Sequence, residues 1–134
     1  MADIDKAEKT EKITINLGLV DLGQIDLLVE EGFYANRTDF IRSAIRTQLA
    51  TRAAVVEQSV ARRTLVLGTA HFTRAQLEEL RKTGQTVHIR VLGLATIADD
   101  VPPKLALQTI ASIEVLGAFR ASPAVKAALA SRTV

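Results

Sequence analysis

Apolar and polar residues alternate over residues 12–17 (KITINL), so Ile13, Ile15 and Leu17 fall on one side of an extended chain. A period of two is typical of a half-buried β-strand, and Gly18 is suited to end it. Two helical patterns follow, but one short strand and two helices cannot close a hydrophobic core. We therefore expect the strand to pair with the same strand of a second copy.

The two helical patterns that follow are separated by a turn. The first predicts a helix over residues 20–31, with Gly32 placed after its end, where a positive φ is favoured. The second begins after Asn36, the predicted N-cap, and Asp39 gives a short-armed variant of the capping box. Its apolar spacing predicts a helix that continues to about residue 62.

The carboxyl half contains three similar segments, TLVLG at 64–68, IRVLG at 89–93 and IEVLG at 113–117. Their glycines are 25 and 24 residues apart, and a period in the twenties is typical of solenoid proteins. Each segment precedes an apolar helical pattern, at 75–80, 102–110 and 123–129. We predict three parallel strands, ending at the glycines and stacked as in a leucine-rich repeat. Their exposed edges would join copies of the chain.

These patterns predict an α+β protein of two parts. Residues 1–11 are charged and form a flexible arm, residues 12–62 form a strand-helix-helix domain, and residues 63–134 form a small β/α repeat domain. With 134 residues, the chain is one domain or two small ones. The first part is too small to bury a core alone, so we expect an intertwined homodimer.

The distribution of charge is more informative than the net charge of +2. Residues 1–36 carry three Lys against eight acidic residues, whereas residues 37–63 carry six Arg against two. The chain has no cysteine, which excludes disulfides and thiolate metal sites and fits a reducing cytoplasm. No apolar run approaches the ~20 residues that span a bilayer, so we expect no membrane association.

Candidate catalytic or metal-binding chemistry is sparse. His71 and His88 are the only histidines, and their spacing matches no metal-ligand pattern, so we expect surface positions rather than a metal site. The serines lie in no nucleophile motif, and there is no glycine-rich phosphate loop. We expect neither an enzyme nor a cofactor.

The strand, the leucine-rich first helix with Ile25-Asp26-Leu27-Leu28, the glycine turn and the segment NRTDFIRSAI together resemble the ribbon-helix-helix family. This family comprises bacterial and phage DNA-binding proteins of the Arc, MetJ and CopG type, and the resemblance covers about residues 12–50. It implies that two chains pair their strands into an antiparallel ribbon that enters the major groove of double-stranded DNA.

The resemblance also implies roles for particular residues. Lys12, Thr14 and Asn16 would face the base edges, where Lys suits guanine and Asn suits adenine. The amino end of the second helix would hold a backbone phosphate through residues 36–38 (Asn36, Arg37 and Thr38), because free N–H groups and the helix dipole attract anions there. Many relatives have Arg on the ribbon face, whereas only Lys12 is basic here.

The sequence thus predicts a cytoplasmic, nucleoid-associated bacterial transcriptional regulator, most simply a repressor, acting as a homodimer. Residues 64–134 would join dimers into higher oligomers. Three alternatives stay open at this point. They are the antitoxin of a toxin–antitoxin pair, a DNA-coating architectural or partition protein that polymerises through its repeats, and a scaffold that uses the ribbon for dimerisation only. Neither the operator sequence nor an effector follows from the sequence.

Overall fold

The structure is a computed structural model that describes residues 10–134. Helices α1 (Leu19–Glu30), α2 (Arg37–Thr51) and α3 (Ala53–Arg63) are followed by alternating strands and helices. These are β1 (Val66–Phe72), α4 (Arg74–Thr83), β2 (Val87–Ile97), α5 (Pro103–Thr109), β3 (Ile110–Arg120), α6 (Pro123–Ala128) and a 3₁₀ turn (Ala130–Arg132). The chain divides into two compact units, an amino-terminal unit, Met1–Gln58, and a carboxyl-terminal unit, Ser59–Val134. The predicted arm, residues 1–11, lies mostly outside the described residues.

The amino-terminal unit has almost no core of its own. Among its described residues, Ile25 on α1 is the only buried apolar side chain, with 6% of its surface exposed. No residue of α2 is buried. Residues 12–17 form no strand within the single chain, so the pairing predicted for them with a second copy stays a prediction.

Gly32 ends α1 as the sequence predicts. Its φ of 86° is in the left-handed region, and the amides of Gly32 and Phe33 donate to the carbonyl oxygens of Val29 and Leu28 at 3.1 and 3.0 Å. This pair of bonds forms a Schellman motif, which satisfies carbonyl groups that the last turn of a helix leaves unpaired. The chain therefore leaves α1 at a fixed angle towards α2.

The second helix is shorter than predicted. It ends at Thr51, and Arg52 takes φ −106° and ψ 12° before helical structure resumes in α3. The predicted continuous helix to residue 62 is thus wrong at one position. Neither glycine nor proline stands there, so the sequence carries none of the usual signals of a break.

The carboxyl-terminal unit is built on three parallel strands in the order β1-β2-β3. The strands align so that Gly68, Gly93 and Gly117 lie side by side across the sheet. Helices α4, α5 and α6 follow the three strands and contribute Leu77, Leu105 and Val125 to one buried cluster. The members of this cluster from the middle strand are Ile89, Val91, Ala95 and Ile97.

The three glycines lie within the strands and do not end them, contrary to the sequence prediction. Each has a positive φ, between 120° and 139°, which only glycine adopts without strain. A Cβ atom on Gly93 would lie 2.1 Å from the carbonyl oxygen of Gly68, and one on Gly117 would lie 2.1 Å from that of Gly93. The close approach of neighbouring backbones therefore requires glycine in the second and third strands, and the strands continue for several residues beyond it.

Candidate DNA-binding surface

The side chains predicted to face DNA bases lie on an exposed segment before α1. Lys12, Thr14 and Asn16 are all exposed. The apolar residues that alternate with them are exposed as well, with Ile13 at 74% and Ile15 at 56%. A polar set and an apolar set therefore alternate along one segment, and both are accessible in the single chain.

The start of α2 is fixed by a reciprocal pair of side-chain hydrogen bonds. Asn36 is the N-cap, and its Oδ1 accepts from the amide of Asp39 at 2.8 Å. The carboxylate of Asp39 accepts from the amide of Ala35 at 2.9 Å. The predicted cap is confirmed, although Asp39 bonds one residue earlier than a capping box requires. This arrangement orients the first turn of α2.

An aromatic contact supports the same turn. The rings of Tyr34 and Phe40 meet edge to face, with their centroids 5.0 Å apart and their planes at 85°. A contact between a residue before the cap and one in the first turns of a helix sets the angle at which the chain enters it. This contact was not identified from the sequence, although the predicted cap at Asn36 places Tyr34 just before the helix and Phe40 in its first turns.

Arg37 is already paired with a carboxylate within the single chain. Its guanidinium donates two hydrogen bonds to the carboxylate of Asp26 on α1, at 2.7 and 2.8 Å. Both side chains are about half exposed, at 56% and 46%. Two parallel bonds between guanidinium and carboxylate fix both groups in direction. The pair therefore ties α1 to α2 beside the predicted phosphate site, and a phosphate would have to compete with Asp26 for this arginine.

The pair also shifts the titration of both groups. The hydrogen bonds that Arg37 donates hold the pKa of Asp26 below its usual value, and the same bonds raise the pKa of Arg37. Each group favours the charged form of the other. Sequence reasoning missed Asp26, because a partner eleven residues away on another helix leaves no local pattern.

The cap geometry suits an anion at the start of α2. In an α-helix the first amides have no intrahelical acceptor. Asn36 accepts a hydrogen bond from the amide of Asp39. The amides of Arg37 and Thr38, which have no acceptor within the helix, can therefore bind an outside acceptor. The three predicted phosphate residues are consecutive and stand together at this helix end. How they stand relative to the ribbon of a dimer depends on the second chain.

The two histidines lie in the carboxyl-terminal unit and contact neighbouring strands. His71 approaches the hydroxyl of Thr96, and Nδ1 of His88 lies 2.7 Å from Oγ of Ser112. Within residues 10–134, no group of three His, Cys, Asp or Glu side chains could hold a metal ion. Over the same residues, no helix is long and apolar enough to cross a membrane.

Comparison with known proteins identifies the family. The model of the Ribbon-Helix-Helix transcriptional regulator family matches residues 8–126, most of the chain, including all three strands of the carboxyl-terminal unit. No curated protein and no solved structure matches the chain. The family implies DNA binding, dimerisation and a regulatory rather than an enzymatic function. The chain, an α+β protein, belongs to the ribbon-helix-helix transcriptional regulator family.

Proposed function

We propose that the protein is a sequence-specific repressor that binds double-stranded DNA as a homodimer. Residues 12–17 of two chains pair into an antiparallel ribbon, and Lys12, Thr14 and Asn16 of each chain contact base edges in the major groove. Residues 36–38 hold a phosphate on either side of the ribbon. Occupation of the promoter then blocks transcription, which would place the protein on the nucleoid in the cytoplasm.

The observation that carries this proposal is the apolar surface of the amino-terminal unit. Ile13, Ile15 and Leu17 of the ribbon segment are exposed, and further apolar side chains of the same unit are exposed with them. Full burial of one such side chain is worth about 1.5–3 kcal/mol. The exposed apolar side chains of the helices are Leu19, Val20, Leu27, Ile45, Leu49 and Val55, and Phe33 in the turn between α1 and α2 is exposed as well. A second copy that covers this surface supplies the core that the unit lacks.

Covering the apolar side of the ribbon would leave its polar side accessible. Lys12, Thr14 and Asn16 alternate with the isoleucines, so burial of one set in a dimer directs the other set outwards. A two-stranded ribbon has the dimensions of the major groove, and the base pairs present distinct donor and acceptor patterns there. Dimerisation and DNA recognition would therefore use opposite sides of the same segment. No observation on the described residues favours the antitoxin, DNA-coating or scaffold alternatives.

The variant Ile15→Asp tests the proposal, with Thr14→Asp as the matched control. Both place a carboxylate on the segment, but only the first places it on the apolar side. We expect Ile15→Asp to abolish the dimer in sedimentation equilibrium, and DNA binding with it. Thr14→Asp should keep the dimer and lose only DNA binding. Hydrogen exchange of the β2 and β3 amides would show that the carboxyl-terminal unit of each variant still folds. An Ile15→Asp variant that stays dimeric and still binds DNA like wild type would contradict the ribbon.

A reporter assay separates repression from DNA binding alone. A promoter that carries a DNA site bound specifically by the protein should be silenced by the wild-type protein and not by Asn16→Ala. Activation of that promoter, or no effect at full occupancy, would contradict the repressor role while leaving the DNA-binding role intact.

A further inference from the structure

The two ends of the three-stranded sheet differ in how they are covered. At the β3 end, Thr133 forms a parallel bridge with Ile113, and the amide of Val134 donates to the carbonyl oxygen of Ile113 at 2.8 Å. Arg132 also donates to the carbonyl oxygen of Ile110 at 2.8 Å. The chain thus covers part of this edge itself.

Among residues 10–134, no strand covers the β1 end in this way. Strand β1 pairs there with β2 alone, so the backbone groups of its other edge have no strand partner within the described part of the chain. Val66 and Leu67 are 56% and 66% exposed. The strand sequence, VLGTAHF, contains none of the Lys, Glu or Pro residues with which proteins protect an edge strand from pairing.

An apolar groove of about 890 Å³ lies at the same end of the sheet. It is lined by residues of β1, by α4 and by Gln85, and by none from β2, β3 or their helices. Ala70, Phe72, Ala75 and Leu80 supply much of its apolar surface. The groove therefore belongs to the β1 end of the sheet.

We propose that the β1 edge is a second contact between copies of this chain, in which two β1 strands pair antiparallel about a two-fold axis. The occupant is a second copy because the family implies dimerisation and a ribbon dimer holds two such edges at high effective concentration. A two-fold contact uses the same surface on both partners. It needs only the uncovered β1 edge, whereas head-to-tail stacking would need the partly covered β3 edge.

The proposed contact would give one sheet of six strands across the two chains and would close both grooves. Gly68 is compatible with it, since a Cβ atom at this position would meet nothing within 4 Å. The contact deepens the proposed function, on whose homodimer it rests. The two chains would be held at the ribbon and again at the sheet, or two ribbon dimers would be linked into a tetramer.

Disulfide trapping tests this contact, because the chain has no cysteine. Leu67→Cys, Thr69→Cys and His71→Cys place a thiol along one side of β1. Directly opposed residues of an antiparallel pair have Cα atoms about 4.5–5.5 Å apart, within the range of a disulfide. Under mild oxidation we expect at least one of the three full-length variants to become mainly covalent dimer.

Two controls identify the competing arrangements. Ala118→Cys, on β3, would cross-link if the sheets met face to face, and its cross-linking without any from β1 would overturn the proposal. The double variant Thr69→Cys with Ala118→Cys would give a ladder of covalent oligomers if copies stacked head to tail, which would overturn it too. The double variants Leu67→Cys with Thr69→Cys and Thr69→Cys with His71→Cys cover the registers in which the two-fold axis passes through Gly68 or Ala70. Absence of cross-linking in these and in every single variant would show that the edge is not a contact.

The Ile15→Asp background separates this proposal from the ribbon dimer. If the edges attract each other independently, Thr69→Cys should still cross-link in that background at raised protein concentration. If only the ribbon dimer exists, Thr69→Cys should run as a monomer on a non-reducing gel in both backgrounds. In the otherwise wild-type background the same variant should still sediment as a dimer.

Discussion

Asn36 and Arg37 stand side by side at the start of α2 and are engaged differently. Asn36 is bonded within its own helix turn, whereas Arg37 reaches across to Asp26 on α1. The cap follows from local sequence, so it was predictable. The ion pair depends on how α1 packs against α2, so it was not. A phosphate at the start of α2 would therefore have to compete with Asp26 for Arg37.

Two substitutions distinguish a DNA contact from a purely structural pair. Arg37→Ala should weaken binding to all DNA sequences and reduce the slope of log affinity against log salt by about 1, because one phosphate contact is lost. Asp26→Asn frees the arginine and removes a negative charge, so it should bind all sequences at least as tightly as wild type. Fluorescence anisotropy over a salt series measures both. Equal weakening by both variants would make Arg37 a structural residue.

The pH dependence of the pair has a definite sign. The pKa of Asp26 is lowered in the folded chain because Arg37 donates to its carboxylate. The contribution to stability is therefore present above the unfolded pKa and is lost as the pH falls through the folded one. Both groups are exposed, so the contribution is small. An NMR titration should place the Asp26 pKa below 3.8 and return it towards that value in Arg37→Ala. An unchanged pKa would contradict the ion pair in solution.

At the scale of elements, the positions of the three strands were predictable from the spacing of their glycines, and their lengths were not. Glycine usually interrupts a strand, so the prediction ended each strand at Gly68, Gly93 and Gly117. The structure uses these residues as points of close backbone approach inside the sheet, a role that depends on the neighbouring strand. The break at Arg52 was equally beyond prediction, since it has no local sequence signal.

The glycines are predicted to differ in their tolerance of a side chain. Gly68→Ala should lose about 1–3 kcal/mol through backbone strain alone, because open space lies around its Cβ position. Gly93→Ala carries the same strain and also meets the carbonyl oxygen of Gly68 at 2.1 Å, so it should lose clearly more. Urea unfolding, followed by NMR methyl signals of buried residues such as Leu77 and Ile113, compares the two. Equal losses would show that the strands can separate to accept the methyl group.

At the scale of the whole molecule, the two units differ in self-sufficiency. The carboxyl-terminal unit buries a cluster drawn from β2, β3 and all three helices, against which Ala70 and Phe72 of β1 pack. The described part of the amino-terminal unit buries Ile25 alone. The family match spans both units. The strands and helices of the carboxyl-terminal unit are therefore as much part of this family as the ribbon segment. The sequence indicated the need for a second copy, because a lone alternating strand has no partner. The residues that meet DNA depend on that second copy, and this is the claim to test.

Selection of bound fragments from the source genome tests the DNA-recognition claim most directly. The wild-type protein should enrich a few fragments that share a motif with two-fold symmetry. Lys12→Ala and Asn16→Ala should each lose about 1–3 kcal/mol on that motif and little on random DNA. Lys104→Ala, which removes an exposed lysine from the carboxyl-terminal unit, should enrich the same motif as wild type. No enrichment by wild type, or an unchanged motif and affinity in both ribbon variants, would contradict the account.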